Sequence, residues 1–190
     1  MSEKKSKGQE LYDELAYEKK NYFEVASKSE RKKMFAYAEG YKAFLDDAKT
    51  EREACAAAVK MAEENGFTEY RFGDALAAGD KKYFVNRGKS VVVFRVGSKD
   101  LEKHGMRIIA SHIDAPRIDV KQNPLYEEAG MCFLKTHYYG GIKKYQWTAI
   151  PLALHGVVVL KDGTKVELRV GEDPKDPVFY IDDLLPHLGH

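Results

Sequence analysis

Arg107-Ile108-Ile109-Ala110-Ser111-His112-Ile113-Asp114-Ala115-Pro116 is the stretch on which the reading of this chain turns. Gly105 leads into an apolar run over residues 106–110, which is expected to form a buried strand of an α/β sheet. The run passes straight into a His-x-Asp pair. In an open α/β sheet, ligands gather at the carboxyl ends of the strands. Residues two apart on a strand share a face. If extended geometry persists to Asp114, the imidazole and the carboxylate lie side by side. That arrangement suits a metal-ligating histidine steered by a neighbouring carboxylate. Pro116 then ends the strand and stiffens the loop. The same spacing also fits a hydrogen-bonded histidine at a strand end followed by an aspartate in a turn. No other candidate ligand lies close by in sequence, so a metal site here must draw on distant residues.

Working back toward the N-terminus, Tyr83-Phe84-Val85, Asn86-Arg87-Gly88 and Val91-Val92-Val93-Phe94 read as strand, turn and strand. Residues 91–96 are nearly all apolar and are expected to be covered on both faces. Two helices come before them. Ser27 and Glu30 have capping-box spacing, and Met34, Ala38, Tyr41 and Leu45 follow on one helical face. Thr50 and Glu53 repeat the capping box ahead of an alanine-rich face (Ala54, Ala57, Ala58, Met61, Ala62). Asn65-Gly66 is the stop signal. Residues 1–26 are charged and tyrosine-rich, and are expected to be a helical segment. Helices alternating with strands give an α/β layer structure.

Beyond Pro124 the texture becomes β-rich. Strands are expected over 133–139, 148–160 and 165–170, the last two joined by the Lys161-Asp162-Gly163-Thr164 turn. A short helix is expected to begin at 181–188. The reading divides the chain at residue 124: 1–124 as half of an α/β domain, and 125–190 as the start of a β-rich subdomain.

Composition narrows the function classes. The chain has 190 residues and a formal net charge of +1, which gives no bulk reason to expect nucleic acid or an anionic membrane. With 44% hydrophobic residues it is too apolar for a disordered chain. No apolar stretch approaches the ~20 residues of a membrane helix, and residues 1–15 lack the apolar run of a signal peptide. Cys55 and Cys132 cannot build a disulfide framework, so a cytoplasmic setting fits best. There is no phosphate loop, no GxSxG and no HExxH. His104 reads as surface, and His155, after Leu152-Ala153-Leu154, as a satisfied histidine within a sheet. Trp147 reads as a core or interface anchor, and Cys132 as a small buried hydrophobe. His137-Tyr138-Tyr139-Gly140-Gly141 reads as a hairpin end with packed aromatics, although a substrate-pocket or subunit-contact loop would also suit it.

The order of these segments resembles the aspartyl aminopeptidase family of dizinc metallopeptidases. Residues 109–116 are similar to that family's Ser/Ala-His-Thr-Asp-Ser-Pro motif. Val120-Lys121-Gln122-Asn123-Pro124, Tyr139-Gly140-Gly141, Trp147, Leu152 and Gly156 follow in the family's order. Thr136-His137-Tyr138-Tyr139-Gly140-Gly141-Ile142-Lys143-Lys144-Tyr145-Gln146-Trp147 looks like the bacterial branch. The better-known Trp-Phe-Asp-Arg-Asp-Leu run is replaced by Trp147-Thr148-Ala149-Ile150-Pro151-Leu152. That change puts a preference for acidic N-terminal residues in doubt.

The resemblance implies the N-terminal part of a zinc-peptidase α/β sandwich, followed by a β-rich oligomerisation subdomain. His112 would be a zinc ligand and Asp114 the carboxylate that orients it. Two Zn2+ ions would activate water and polarise the scissile carbonyl, with a glutamate as general base. Peptides would be the substrates and the enzyme a homo-oligomer. Leu185-Pro186-His187-Leu188 resembles a segment near a subunit contact, where the family's reaching histidine would fall at or just past His190. The other ligands and the base lie in the family's second half, so these 190 residues are expected to be inactive alone, with apolar surface exposed where further strands should pair. A non-catalytic α/β module that self-associates through its β-rich segment is the alternative, and it implies no zinc dependence.

Overall fold

A computed structural model describes residues 5–17 and 19–188. Its contacts divide the chain into two units, Met1–Ala43 and Phe44–His190.

The first unit holds α1 (Lys7–Leu15), α2 (Tyr22–Val25) and most of α3 (Lys28–Asp47). Each start is capped by the residue type the physics favours. The Ser6 hydroxyl accepts from the Gln9 N–H, and the Asn21 side chain from the Phe23 N–H. The capping box expected at Ser27 forms both ways. The Ser27 N–H donates to the Glu30 carboxylate at 2.8 Å, and the Glu30 N–H donates to Ser27 Oγ at 3.2 Å. The apolar face of α3 exists but is not enclosed: Tyr41 and Leu45 are 55% and 45% exposed.

In the second unit α4 (Glu51–Glu64) starts at Thr50, whose Oγ1 accepts from the Glu53 N–H at 3.3 Å. It stops where expected. Gly66 takes φ +78, and the Gly66 and Phe67 N–H groups close onto the carbonyls of Glu63 and Ala62. A three-stranded sheet follows: β1 (Thr68–Glu69), β2 (Lys81–Asn86) and β3 (Ser90–Arg95), with β1 parallel and β3 antiparallel to β2. At the expected hairpin, Arg87 and Gly88 both have positive φ, which suits the right-handed twist of the two strands. α4 packs on β2 and β3. Small side chains allow the close approach: Ala54, Cys55 and Ala62 are buried, together with Tyr83 of β2. The Tyr83 hydroxyl donates to the Glu63 carboxylate at 2.6 Å. That bond, with burial and the nearby negative charge, pushes the phenol up to about 12.

Two expectations about strands fail here. Residues 91–96 are not covered on both faces, since Val92 and Val93 are 57% and 44% exposed. Residues 106–110 are not a buried strand. They join none of the three sheets, and Ile109 is wholly exposed. Apolar composition marks a segment that needs cover. A strand also needs a neighbour for its N–H and C=O groups, and among the described residues none pairs with this run. The exposed apolar surface expected of these residues is present.

β4 (Arg117–Glu128) and β5 (Met131–Tyr139) form an antiparallel ribbon, turning at Ala129-Gly130. Sequence reading missed β4 because Pro124 looks like a boundary. Pro124 instead sits where the register shifts, between Val120 and Leu125. A residue without an N–H is tolerated at such an irregularity in an edge strand. The division drawn at residue 124 therefore falls inside β4. β6 (Leu154–Val159) and β7 (Lys165–Val170) form the last hairpin around Gly163, as expected. The strand expected over 148–160 is shorter, because the chain turns at Ala149 (φ +59) and bridges Phe179 through Leu152 before β6 begins. The helix expected over 181–188 is a single 3₁₀ turn, Pro186–Leu188. Position 190, where a reaching histidine was considered, lies outside the described residues. Among the described residues, no helix is long and apolar enough to cross a membrane.

Candidate metal-ligand site

Asp114 and Pro116 lead directly into β4, and the register Arg117↔Tyr139 sets the last residue of β5 beside them. Gly140 turns the chain beside Pro116 at φ +73, a conformation that favours glycine. With this register the Tyr139 hydroxyl donates to Asp114 Oδ2 at 2.6 Å. The Arg117 guanidinium lies 4.4 Å over the Tyr139 ring. It is itself held by Asp119, by Glu51 of α4 and by the Ala115 carbonyl.

His112 Nδ1 stands 2.7 Å from the Asp114 carbonyl oxygen and 3.3 Å from Asp114 Oδ1. Both oxygens can only accept. A proton shared with them therefore sits on Nδ1, leaving Nε2 with its lone pair. The His112 side chain is 81% exposed, so the ring stands open to solvent. The hydrogen bond from Tyr139, outweighing partial desolvation, holds the Asp114 carboxyl below its ordinary value, and the nearby imidazole pulls the same way. The two residues singled out from sequence are thus side by side, but in an extended segment and not at the end of a paired strand.

His155 of β6 makes the opposite arrangement. Nδ1 lies 2.9 Å from Glu53 Oε1 on α4, and Nε2 lies 2.8 Å from Glu172 Oε1. Both ring nitrogens are engaged and the side chain is only 12% exposed, as expected of a satisfied histidine. Arg169 Nε approaches the same Glu53 oxygen at 3.2 Å. Burial alone would push the Glu53 carboxyl up. Hydrogen bonds from His155 and Thr50, and the charges of His155 and Arg169, outweigh it and hold the group below its ordinary value. A charged cleft of about 600 Å³ opens beside this cluster, with Arg117, Lys60 and Lys89 also on its walls. Sequence reading missed the cluster, since no local signal joins Glu53 to a histidine in another hairpin.

Trp147 lines an apolar hollow of about 250 Å³ with Ile118, Ile142, Ile181 and Leu184, in keeping with an anchor. Cys132, expected to be buried, is exposed on β5. Among the described residues no layer covers that face of the two-stranded ribbon.

Residues 44–190 match the family model described as aminopeptidase I zinc metalloprotease (M18). The chain belongs to the M18 aminopeptidase family. The matched residues coincide with the second structural unit. A probable M18 family aminopeptidase 1 of Clostridium acetobutylicum is 46% identical over 180 residues, which is 93% of this chain and 38% of that protein. The crystal structure of aminopeptidase I from Borrelia burgdorferi B31 superposes with a TM-score of 0.80 at 42% identity, over 88% of this chain and 41% of that one. The S. cerevisiae mApe1 dodecamer shares the fold at 22% identity and a TM-score of 0.65, over 78% and 36%. The chain thus spans about two fifths of the length of the M18 relatives that resemble it most among these.

Zinc is the metal of the M18 family, and the donor set here can be tested against it. A catalytic zinc takes three protein ligands. His112 fits as one imidazole ligand whose other nitrogen is held by the Asp114 carbonyl, with the Asp114 carboxylate beside it. Among the described residues, no group of three or more His, Cys, Asp or Glu side chains is placed to hold a metal. The described residues offer one candidate ligand with a carboxylate beside it, and do not make a complete zinc site.

Proposed function

We propose that this chain is the N-terminal part of an aminopeptidase that uses two zinc ions to remove N-terminal residues from peptides, and that His112 is a ligand to one of them. The observation that carries this reading is the division of labour on the His112 ring, in a chain of the M18 family. Nδ1 is committed to Asp114 at 2.7 and 3.3 Å, while Nε2 is free and exposed. Asp114 takes the role of the carboxylate that fixes ring orientation and raises ligand basicity.

The remaining ligands and the general base come from a further segment. The 190 residues alone bind zinc weakly and do not hydrolyse peptides. Residues 106–110 and the open face of β3 are the surfaces that the further segment covers. The β-rich part, from β4 onward, takes part in subunit contacts of a homo-oligomer; the yeast relative that shares the fold is a dodecamer.

The test joins this chain to the C-terminal segment of its Clostridium acetobutylicum relative. Zinc content and hydrolysis of aminoacyl chromogenic substrates are then measured, with His112→Ala alongside. Zinc-dependent hydrolysis that disappears in the variant supports the reading. A folded joined chain without zinc dependence would leave the non-catalytic, self-associating module.

A further inference from the structure

We propose that Tyr139 is a positioning residue: its hydroxyl, with the Arg117 guanidinium stacked on its ring, holds Asp114 so that His112 keeps its proton on Nδ1 and its lone pair on Nε2. For its functional meaning this rests on the reading of His112 as a zinc ligand, but the tautomer can be read without metal.

The two oxygens of Asp114 are divided between two neighbours. Oδ2 takes the Tyr139 hydroxyl at 2.6 Å, the short distance typical of an O–H donor on an ionised carboxylate. Oδ1 is left facing His112 Nδ1 at 3.3 Å, with the Asp114 carbonyl at 2.7 Å. A carboxylate held by one oxygen has less freedom to swing its other oxygen away from the ring. Tyr139 is in turn held from three directions. Its backbone is fixed by the register with Arg117. Its ring is capped by the guanidinium at 4.4 Å. Gly140 carries the chain past Pro116 at φ +73, a backbone conformation that a residue with a side chain adopts only with strain. The ring that benefits is 81% exposed, so packing does not orient it. In water an exposed imidazole divides its single proton between two nitrogens. Here the hydrogen bonds choose one, and the choice leaves the other nitrogen free.

The experiment is long-range ¹H–¹⁵N NMR of the imidazoles in the 190-residue chain, at a pH where the rings are neutral. His112→Ala assigns the resonance. The wild-type ring is expected as the Nδ1–H tautomer, with a pyridine-like Nε2. Tyr139→Phe is expected to shift the tautomer ratio toward Nε2–H by about fivefold, the equilibrium equivalent of one net hydrogen bond. A wild-type ring in the Nε2–H form would overturn the proposal, and so would a Tyr139→Phe ratio equal to wild type. Should Tyr139→Phe not fold, hydroxyl exchange in the wild type decides: a protected, low-field Tyr139 proton supports the proposal and a freely exchanging one refutes it. Failure of the underlying reading looks different. There the tautomer responds as expected, but zinc content of the joined aminopeptidase is indifferent to His112.

Discussion

His112 and His155 both stand against acidic residues, and they differ in what each ring has left to offer. His155 gives both nitrogens to carboxylates, Glu53 on one side and Glu172 on the other, and is nearly enclosed. His112 gives one nitrogen to Asp114 and keeps the other in the open. An imidazole beside a carboxylate is therefore not by itself a ligand. A ligand needs a lone pair with nothing in front of it. His155 ties a helix to a hairpin, and His112 keeps one ring nitrogen available.

Substitutions at the two sites should fall into different classes. The largest effect is expected from His112→Ala in the joined aminopeptidase. Loss of one zinc ligand removes several kcal/mol of transition-state stabilisation, on the order of 10³-fold in kcat/KM, with the stability of the chain unchanged in a denaturant titration. A fall in stability with activity retained would put His112 in the same class as His155.

Next comes Asp114→Asn, which keeps the shape and removes the charge that steers the ring. Zinc affinity is expected to drop about 10- to 100-fold, measured by competition with a chelator. His155→Ala should do the reverse. It leaves Glu53 nearly enclosed with one partner fewer, at a cost of about 1–3 kcal/mol in the unfolding free energy, with zinc content untouched.

The smallest effect is a pH dependence read at the second site. The Glu53 carboxyl is held below its ordinary value of 4.5. A group lowered in this way contributes stability that is present above pH 4.5 and is lost as pH falls through the lower folded value. Wild type should lose this increment on acidification below pH 4.5. The Glu53→Gln chain should lack that part of the dependence. Equal acid profiles for the two would show that the cluster does not hold the carboxylate.

The parts of the molecule that were legible in advance are those decided by near neighbours. The capping box at Ser27, the Thr50 N-cap, the Asn65-Gly66 stop and the two hairpins at Arg87-Gly88 and Gly163 each depend on a few adjacent residues, and each formed; of the box expected at Thr50 only the bond from the Glu53 N–H is present. The failures involve partners far along the chain. Ile108 and Ile109 announce a need for cover but cannot supply it. Pro124 hides a strand because a local rule about proline is relaxed in an edge strand with a register shift. His155 and Glu53 are 102 positions apart, beyond any spacing argument. Tyr139 was within reach: it ends a recognisable strand, and only the missing partner, β4, concealed that its hydroxyl returns to Asp114. The proposed ligand was legible because His-x-Asp is a local pattern, whereas among the described residues no group of three or more His, Cys, Asp or Glu is placed to complete a metal site.

The most direct test is elemental analysis of zinc in the joined aminopeptidase, comparing wild type, His112→Ala and His155→Ala after identical dialysis. Wild type and His155→Ala should retain the same zinc per chain, and His112→Ala should have lost at least one ion. Equal zinc in all three proteins would contradict the assignment of His112 as a ligand.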